Sequence, residues 1–176
     1  MEIIYTASLS EEQKKQVFEI LCEADREFIP PLSYREDTKQ KNLYVQQSET
    51  KPPYIYFEKV TKQSNLLAIE EGHVVGFMSF EEDYFLELEE KSYETLYMST
   101  LIVRKESRRK GISSRLYEEL LKRFQDRNII TRTWSTNVSH IGLLEKLGFQ
   151  MLECIKNDRG PGIDTVYYGR LLGEKQ

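Results

Sequence analysis

The chain predicts an α/β fold built on a mixed, twisted β-sheet flanked by helices, and three observations carry that expectation. Residues 96–124 read as a strand, a basic turn holding one glycine, and a long amphipathic helix. Residues 129–135 read as the next strand, and a right-handed strand–helix–strand crossover sets it parallel to the first. Two hairpins lie outside this unit, at 66–80 and 149–171, so the sheet mixes both strand directions.

The elements follow in order. Residues 2–7 read as a first strand. Ser10 with Gln13 makes a capping box for the helix that follows, whose apolar stripe is Val17, Ile20, Leu21 and Ala24, with Phe28 beyond. Pro30 and Pro31 stop it. Residues 34–62 are polar and hold Pro52 and Pro53; Tyr54, Phe57 and Val60 at helical spacing suggest a short helix there. Residues 66–69 and 74–80 pair around Glu71-Gly72-His73. An acidic stretch follows, with Glu81, Glu82, Asp83, Glu87, Glu89, Glu90 and Glu94, and reads as a loop. In the central strand Tyr97, Ser99, Leu101 and Val103 alternate with Met98, Thr100 and Ile102. Ile112, Leu116, Leu120, Leu121 and Phe124 then form one helix face. Asn137 is placed to cap a helix over 138–147, and Gly148 to end it. Trp134 is expected in the core. Residues 149–155 and 163–171 close the sheet around a turn at 157–162.

The 176 residues suffice for one domain over 1–176 with a real core, and no repeat or linker divides them. With 39% hydrophobic and 31% charged residues, the chain has a globular composition and not a disordered one. A net charge of -4 argues against general nucleic-acid binding. No apolar run approaches the ~18 residues of a membrane span, and the N-terminal stretch lacks the pattern of a signal peptide. Cys22 and Cys154 lie far apart, and neither His73 nor His140 joins them in a ligand spacing. No metal site and a reduced, cytoplasmic setting are expected. An exposed edge strand near the C-terminus makes a homodimer plausible.

The turn carries the chemistry. Arg104, Lys105, Arg108, Arg109 and Lys110 precede Gly111, and a helix begins directly after it. The first N–H groups of a helix lack intrahelical partners and sit at the positive end of its dipole. A glycine allows close backbone approach, and the cations raise local anion concentration. The turn therefore suits a phosphate or pyrophosphate. The alternative is a basic loop in water.

Arg108-Arg109-Lys110-Gly111-Ile112-Ser113 resembles the acyl-CoA signature of the GNAT superfamily of N-acetyltransferases, which runs Arg/Gln-x-x-Gly-x-Gly/Ala from a strand into a helix. Asn137 with Leu143-Leu144-Glu145-Lys146-Leu147-Gly148-Phe149 is similar to the family's Asn…Tyr-Glu-Lys-Leu-Gly-Phe segment. The two motifs span residues 96–149. The resemblance implies central strands splayed around acetyl-CoA, held by Arg108, Arg109, Lys110, Gly111, Ile112, Ser113 and Ser114. Backbone groups of Leu101, Ile102 and Val103 would meet the thioester, with Asn137 near the pantetheine arm. It implies acetyl transfer to a primary amine of a small molecule or protein by direct attack.

The sequence departs from that pattern where proton transfer is expected. Leu144 stands where many members carry a tyrosine acid, Tyr97 where some carry a glutamate base, Ser113 where a second Gly or Ala is usual, and Lys105 where proline is common. A tyrosine of ordinary pKa near ~10 is a poor base at neutral pH. Tyr97 remains a candidate through a water relay, and His140 is a candidate because it shares a helix face with Leu144 and titrates in a useful range. Each also has a plainer reading, as a core aromatic and a surface histidine. Glu81, Glu82 and Glu94 are further candidates for an acceptor-side base. The acidic stretch would border the acceptor side and favour a cationic amine, or it is an ordinary solvated run. A non-catalytic acyl-CoA-binding or protein-interaction module with this fold stays open. A nucleotide-phosphate binder is disfavoured, because neither Gly-rich phosphate motif is present.

Overall fold

The computed structural model describes residues 1–44, 51–88 and 91–173. Along the chain come β1 (Glu2–Thr6), α1 (Glu11–Ala24), α2 (Tyr54–Thr61), β2 (Ser64–Glu70), β3 (His73–Leu88), β4 (Lys91–Val103), α3 (Ile112–Arg123), β5 (Asn128–Trp134), α4 (Val138–Lys146), β6 (Gln150–Ile155) and β7 (Thr165–Arg170). The strands form one mixed sheet in the order β1-β2-β3-β4-β5-β7-β6. β4 and β5 are parallel, joined by α3, and the other neighbouring pairs are antiparallel.

Each face of the sheet buries its own core. Leu116, Tyr117 and Leu120 of α3 and Leu144 of α4 pack with Met78, Phe80, Leu96, Met98 and Ile129. On the other face Val17, Ile20 and Leu21 of α1 and Tyr56 and Val60 of α2 pack on Leu67, Phe77 and Ile102. Helix α1 starts as expected: the Gln13 N–H donates to Ser10 Oγ at 3.2 Å, and the Ser10 N–H donates to Gln13 Oε1 at 2.9 Å. Helix α4 ends in a Schellman turn. The Phe149 N–H reaches the Leu144 carbonyl, the Gly148 N–H reaches that of Glu145, and Gly148 takes φ 83°.

Four expectations are corrected. Helix α2 buries Tyr56 and Val60, while Tyr54 is 60% exposed. Its inner face is thus turned from the Tyr54-Phe57-Val60 stripe, and the Tyr56 hydroxyl shares a hydrogen bond with Thr100 Oγ1 at 2.8 Å. The acidic stretch is no loop. It forms the outer part of the long β3–β4 ribbon, where Glu81 pairs with Tyr97 and Phe85 with Glu94; Glu89 and Glu90 lie outside the described residues.

The third correction concerns β4. Phe80 faces Met98 but Ser79 faces Thr100, so Ser99 is an extra residue, a bulge. The alternation therefore changes phase. Leu96 and Met98 face the α3 side before it, and Leu101 and Val103 face that side after it. Tyr97 does not share a face with Leu101 and Val103. The fourth concerns Asn137, which stands at the N-cap of α4 without capping it; its Nδ2 donates to Thr133 Oγ1 at 3.0 Å.

Candidate functional site

The β4–β5 ladder runs from Thr95–Asn128 to Met98–Thr131 and stops. β4 continues along β3 to Val103, and β5 continues along β7 to Trp134. The two strands therefore part just beyond the bulge, which bends and twists the strand that carries it. A cleft of about 530 Å³ fills the gap. Ser99, Leu101, Ile102 and Val103 form one wall, and Thr131, Arg132, Thr133 and Trp134 form the other. Asn137, His140 and Leu143 of the α4 segment close one side, and Phe28 the opposite one. Trp134 is thus a wall of the cleft, with its ring 5.5 Å from that of Phe28.

At one end the cleft meets the basic turn. A smaller cavity of about 200 Å³ lies there, lined by Arg108, Arg109, Gly111, Ile112, Ser113 and Ser114, among others. Arg109 and Gly111 both take positive φ, 62° and 76°. This left-handed geometry suits glycine and curls the backbone into a concave turn. No side chain caps α3, so the N–H groups of its first turn remain available to an anion. A Cβ on Gly111 would meet no protein atom within 4 Å, so the open side of the turn belongs to a ligand or to water.

The cations of the turn divide into two groups. Arg104 binds the Val74 carbonyl, Glu19 and Glu23. Arg108 binds the Val103 carbonyl at 2.9 Å and Glu27 at 2.8 Å, and Lys105 also reaches Glu27. These three hold the turn against β4 and the α1 end. Arg109 and Lys110 are exposed and make no ion pair among the described residues. Arg109 lines the small cavity, whereas Lys110 lines neither.

The two candidates for proton transfer differ in placement. Tyr97 is 2% exposed and does not line the cleft. Its hydroxyl donates to the Thr38 carbonyl at 3.2 Å, and burial pushes its pKa well above the ordinary range. His140 does line the cleft. It is half-buried, with its Nε2 2.8 Å from the hydroxyl of Tyr117, itself fully buried. Burial pushes the imidazole pKa down to about 4, so the ring is neutral at pH 7. Burial also raises Tyr117, which stays protonated. Leu144 is 0% exposed in the α3-side core, and its neighbour Leu143 faces the cleft.

Among the described residues, no carboxylate of the acidic stretch lines the cleft. Glu81 pairs with Lys39, Glu82 accepts from the Tyr5 and Ser64 hydroxyls, and Glu94 faces Arg127. Among the described residues no cluster of His, Cys, Asp or Glu has the make-up of a metal site, and no helix is long and apolar enough to cross a membrane. Sequence reasoning passed over Arg132, which lines the cleft from mid-strand. The signal was a charge set between Thr131 and Thr133 in an otherwise buried strand.

Comparison with known proteins agrees with this geometry. No curated protein resembles the chain closely enough in sequence to match. Among solved structures, an aminoglycoside 6'-N-acetyltransferase from Enterococcus faecium superposes with a TM-score of 0.67 at 15% identity, over 97% of this chain and 96% of its own. A ribosomal-protein-alanine N-acetyltransferase from Brucella melitensis gives 0.65 at 18%, over 98% and 100%. The NatC complex bound to Gag peptide and CoA gives 0.63 at 18%, over 98% and 99%. At these identities the likeness is one of fold. The acetyltransferase (GNAT) family model matches residues 16–149, well over half of the chain, and so this protein belongs to the GNAT family of acetyltransferases.

Proposed function

We propose that residues 1–176 act as one N-acetyltransferase domain that moves an acetyl group from acetyl-CoA to a primary amine. One observation carries this reading: the parting of β4 from β5 directly beside an uncapped, glycine-led helix N-terminus. The three structural relatives support it by their names, two as N-acetyltransferases and one bound to CoA.

The chain's groups divide the work. The N–H groups of Ile112, Ser113 and Ser114, with Arg109 beside them, hold the pyrophosphate. The walls from Leu101 to Val103 and from Thr131 to Trp134 take the pantetheine arm between them, with Asn137 alongside. A β4 N–H near Leu101, Ile102 or Val103, no longer bonded to β5, stabilises the oxyanion. The amine nitrogen forms a bond to the thioester carbon, the C–S bond breaks, the amine loses a proton and the thiolate gains one. His140 serves that transfer as a neutral hydrogen-bond donor, its orientation set by Tyr117. Alignment of amine and thioester in the cleft supplies much of the rate. Tyr97 acts only as a support for the 38-carbonyl.

The test is release of free thiol from acetyl-CoA in the presence of a panel of amines. Amine-dependent release is the expected result. Acetyl-CoA binding without release for any amine would favour the second reading, a non-catalytic acyl-CoA-binding module, for which the burial of Leu144 speaks.

A further inference from the structure

Three arginines far apart in sequence meet behind the aromatic end of the cleft. Arg132 projects from mid-β5 and lines the cleft itself. Its Nη2 donates to the Thr38 carbonyl at 3.1 Å. Arg159, from the β6–β7 turn, lies with its guanidinium 5.7 Å from the centre of the Trp134 ring. Arg35 lies 5.4 Å from the centre of the Phe28 ring. Arg35 and Arg159 are joined through one acceptor: both donate to the Ile29 carbonyl, at 3.4 and 2.6 Å. Each is only 5% exposed.

Their direct hydrogen-bond partners are all neutral. Arg35 binds the carbonyls of Pro30 and Ile29, Arg159 those of Ile29 and the Thr165 hydroxyl, and Arg132 the Thr38 carbonyl and the Tyr167 hydroxyl. None of the three forms an ion pair among the described residues. Asp158 offsets part of the Arg159 charge from a distance: it accepts from the Thr165 hydroxyl at 2.6 Å, which in turn accepts from Arg159, and it touches no guanidinium. Burial, then the charges of Arg35 and Arg132, hold Arg159 down at about 9, which leaves it cationic at pH 7. Buried charge of one sign without a counter-ion is costly unless something supplies the opposite charge. The cleft's own carboxylate is Glu27, and it is taken by Lys105 and Arg108.

We propose that the acceptor is a small anionic amine, one bearing an acid group a few bonds from its nitrogen, and that Arg132 binds that group. Arg159 and Arg35 add their field from behind the Trp134–Phe28 wall, and a guanidinium fork suits carboxylate and phosphate alike. The same field disfavours the ammonium form of a bound amine and so favours the neutral nucleophile. This assignment rests on the acetyltransferase reading above. It replaces the cationic acceptor suggested by the acidic stretch, whose described carboxylates do not line the cleft.

The experiment compares matched acceptors on the full chain saturated with acetyl-CoA. Alanine and 2-aminoethylphosphonate, which carry an acid group, are the anionic arm, and alaninamide and putrescine, which lack one, are the control arm. The expected result is a kcat/KM about tenfold or more higher for the anionic arm, the size one charge-assisted contact supplies. Alanine against aminoethylphosphonate separates carboxylate from phosphate. In Arg132→Met the alanine-to-alaninamide ratio should fall about tenfold, and Arg132→Lys should restore part of it. Thermal stabilisation by acetyl-CoA reports that each variant is folded. Preference for alaninamide or putrescine, or a ratio unmoved in a folded Arg132→Met, overturns the proposal. A binding arm needs no turnover: N-acetylalanine against N-acetylalaninamide titrated into the CoA-loaded protein. If no amine releases thiol, the acetyltransferase reading fails, and the binding arm still decides the anion site by whether N-acetylalanine binds more tightly.

Discussion

Acid is expected to destabilise this fold through one imidazole, and the size of the effect follows from its setting. His140 has a pKa near 4 in the folded protein against 6.5 for an ordinary histidine, because burial disfavours its charged form. The unfolded chain therefore takes up a proton first as the pH falls. The associated stability is fully present above pH 6.5 and is lost as the pH drops from 6.5 towards 4. At 1.36 kcal/mol per pKa unit the whole interval corresponds to about 3 kcal/mol, of which roughly 2 kcal/mol falls between pH 7 and 4.5. That is a sizeable part of the total stability of a domain, about 5–15 kcal/mol. Urea unfolding at pH 7 and 4.5, on the native protein and on His140→Gln, isolates it. Carboxylates titrate in both proteins and cancel. The glutamine variant is expected to lose roughly 2 kcal/mol less on acidification. Equal losses in the two proteins, or an imidazole NMR titration centred near 6.5, would refute the reasoning.

Three other substitutions probe the cleft. Gly111→Ala places a side chain at φ 76°, which costs about 1–2 kcal/mol and lowers the melting temperature by roughly 2–8 °C by calorimetry; acetyl-CoA affinity should fall with it. Gly76→Ala puts a Cβ 3.0 Å from the Ile102 carbonyl oxygen and 3.2 Å from Val103 Cγ2, pressing on β4 where it borders the cleft. A loss of about 1–3 kcal/mol in urea and weaker acetyl-CoA binding are expected together. Leu144→Tyr restores the family's residue in a position packed against α3. It should destabilise by about 1–3 kcal/mol through overpacking and leave thiol release no faster; a faster rate would show that a tyrosine there reaches the thioester.

Local signals were legible in the sequence because local physics decides them. The Ser10–Gln13 box, the α3 face and the glycine that ends α4 each depend on residues within one or two turns. The phase change in β4 was not, because an inserted Ser99 leaves an apparently regular run of alternating residues. Only the β3 register reveals it. The charge of residues 81–94 suggested a loop, yet an exposed two-stranded ribbon tolerates acids on its open face while Leu86 and Tyr97 are buried on it. Asn137 occupies its expected position but turns to Thr133, a partner set by the end of β5. The arginine cluster was beyond reach. Residues 35, 132 and 159 come from a loop, a strand and a turn, and tertiary structure alone brings them together.

The central claim is that the gap between β4 and β5, with the turn at Gly111, is an acyl-CoA site. Calorimetric titration of acetyl-CoA into the protein tests it most directly, with desulfo-CoA and ATP titrated alongside. The account predicts saturable binding of acetyl-CoA, weakened in Gly111→Ala, and no comparable binding of ATP. Absence of acetyl-CoA binding, or equal binding of ATP, would contradict it.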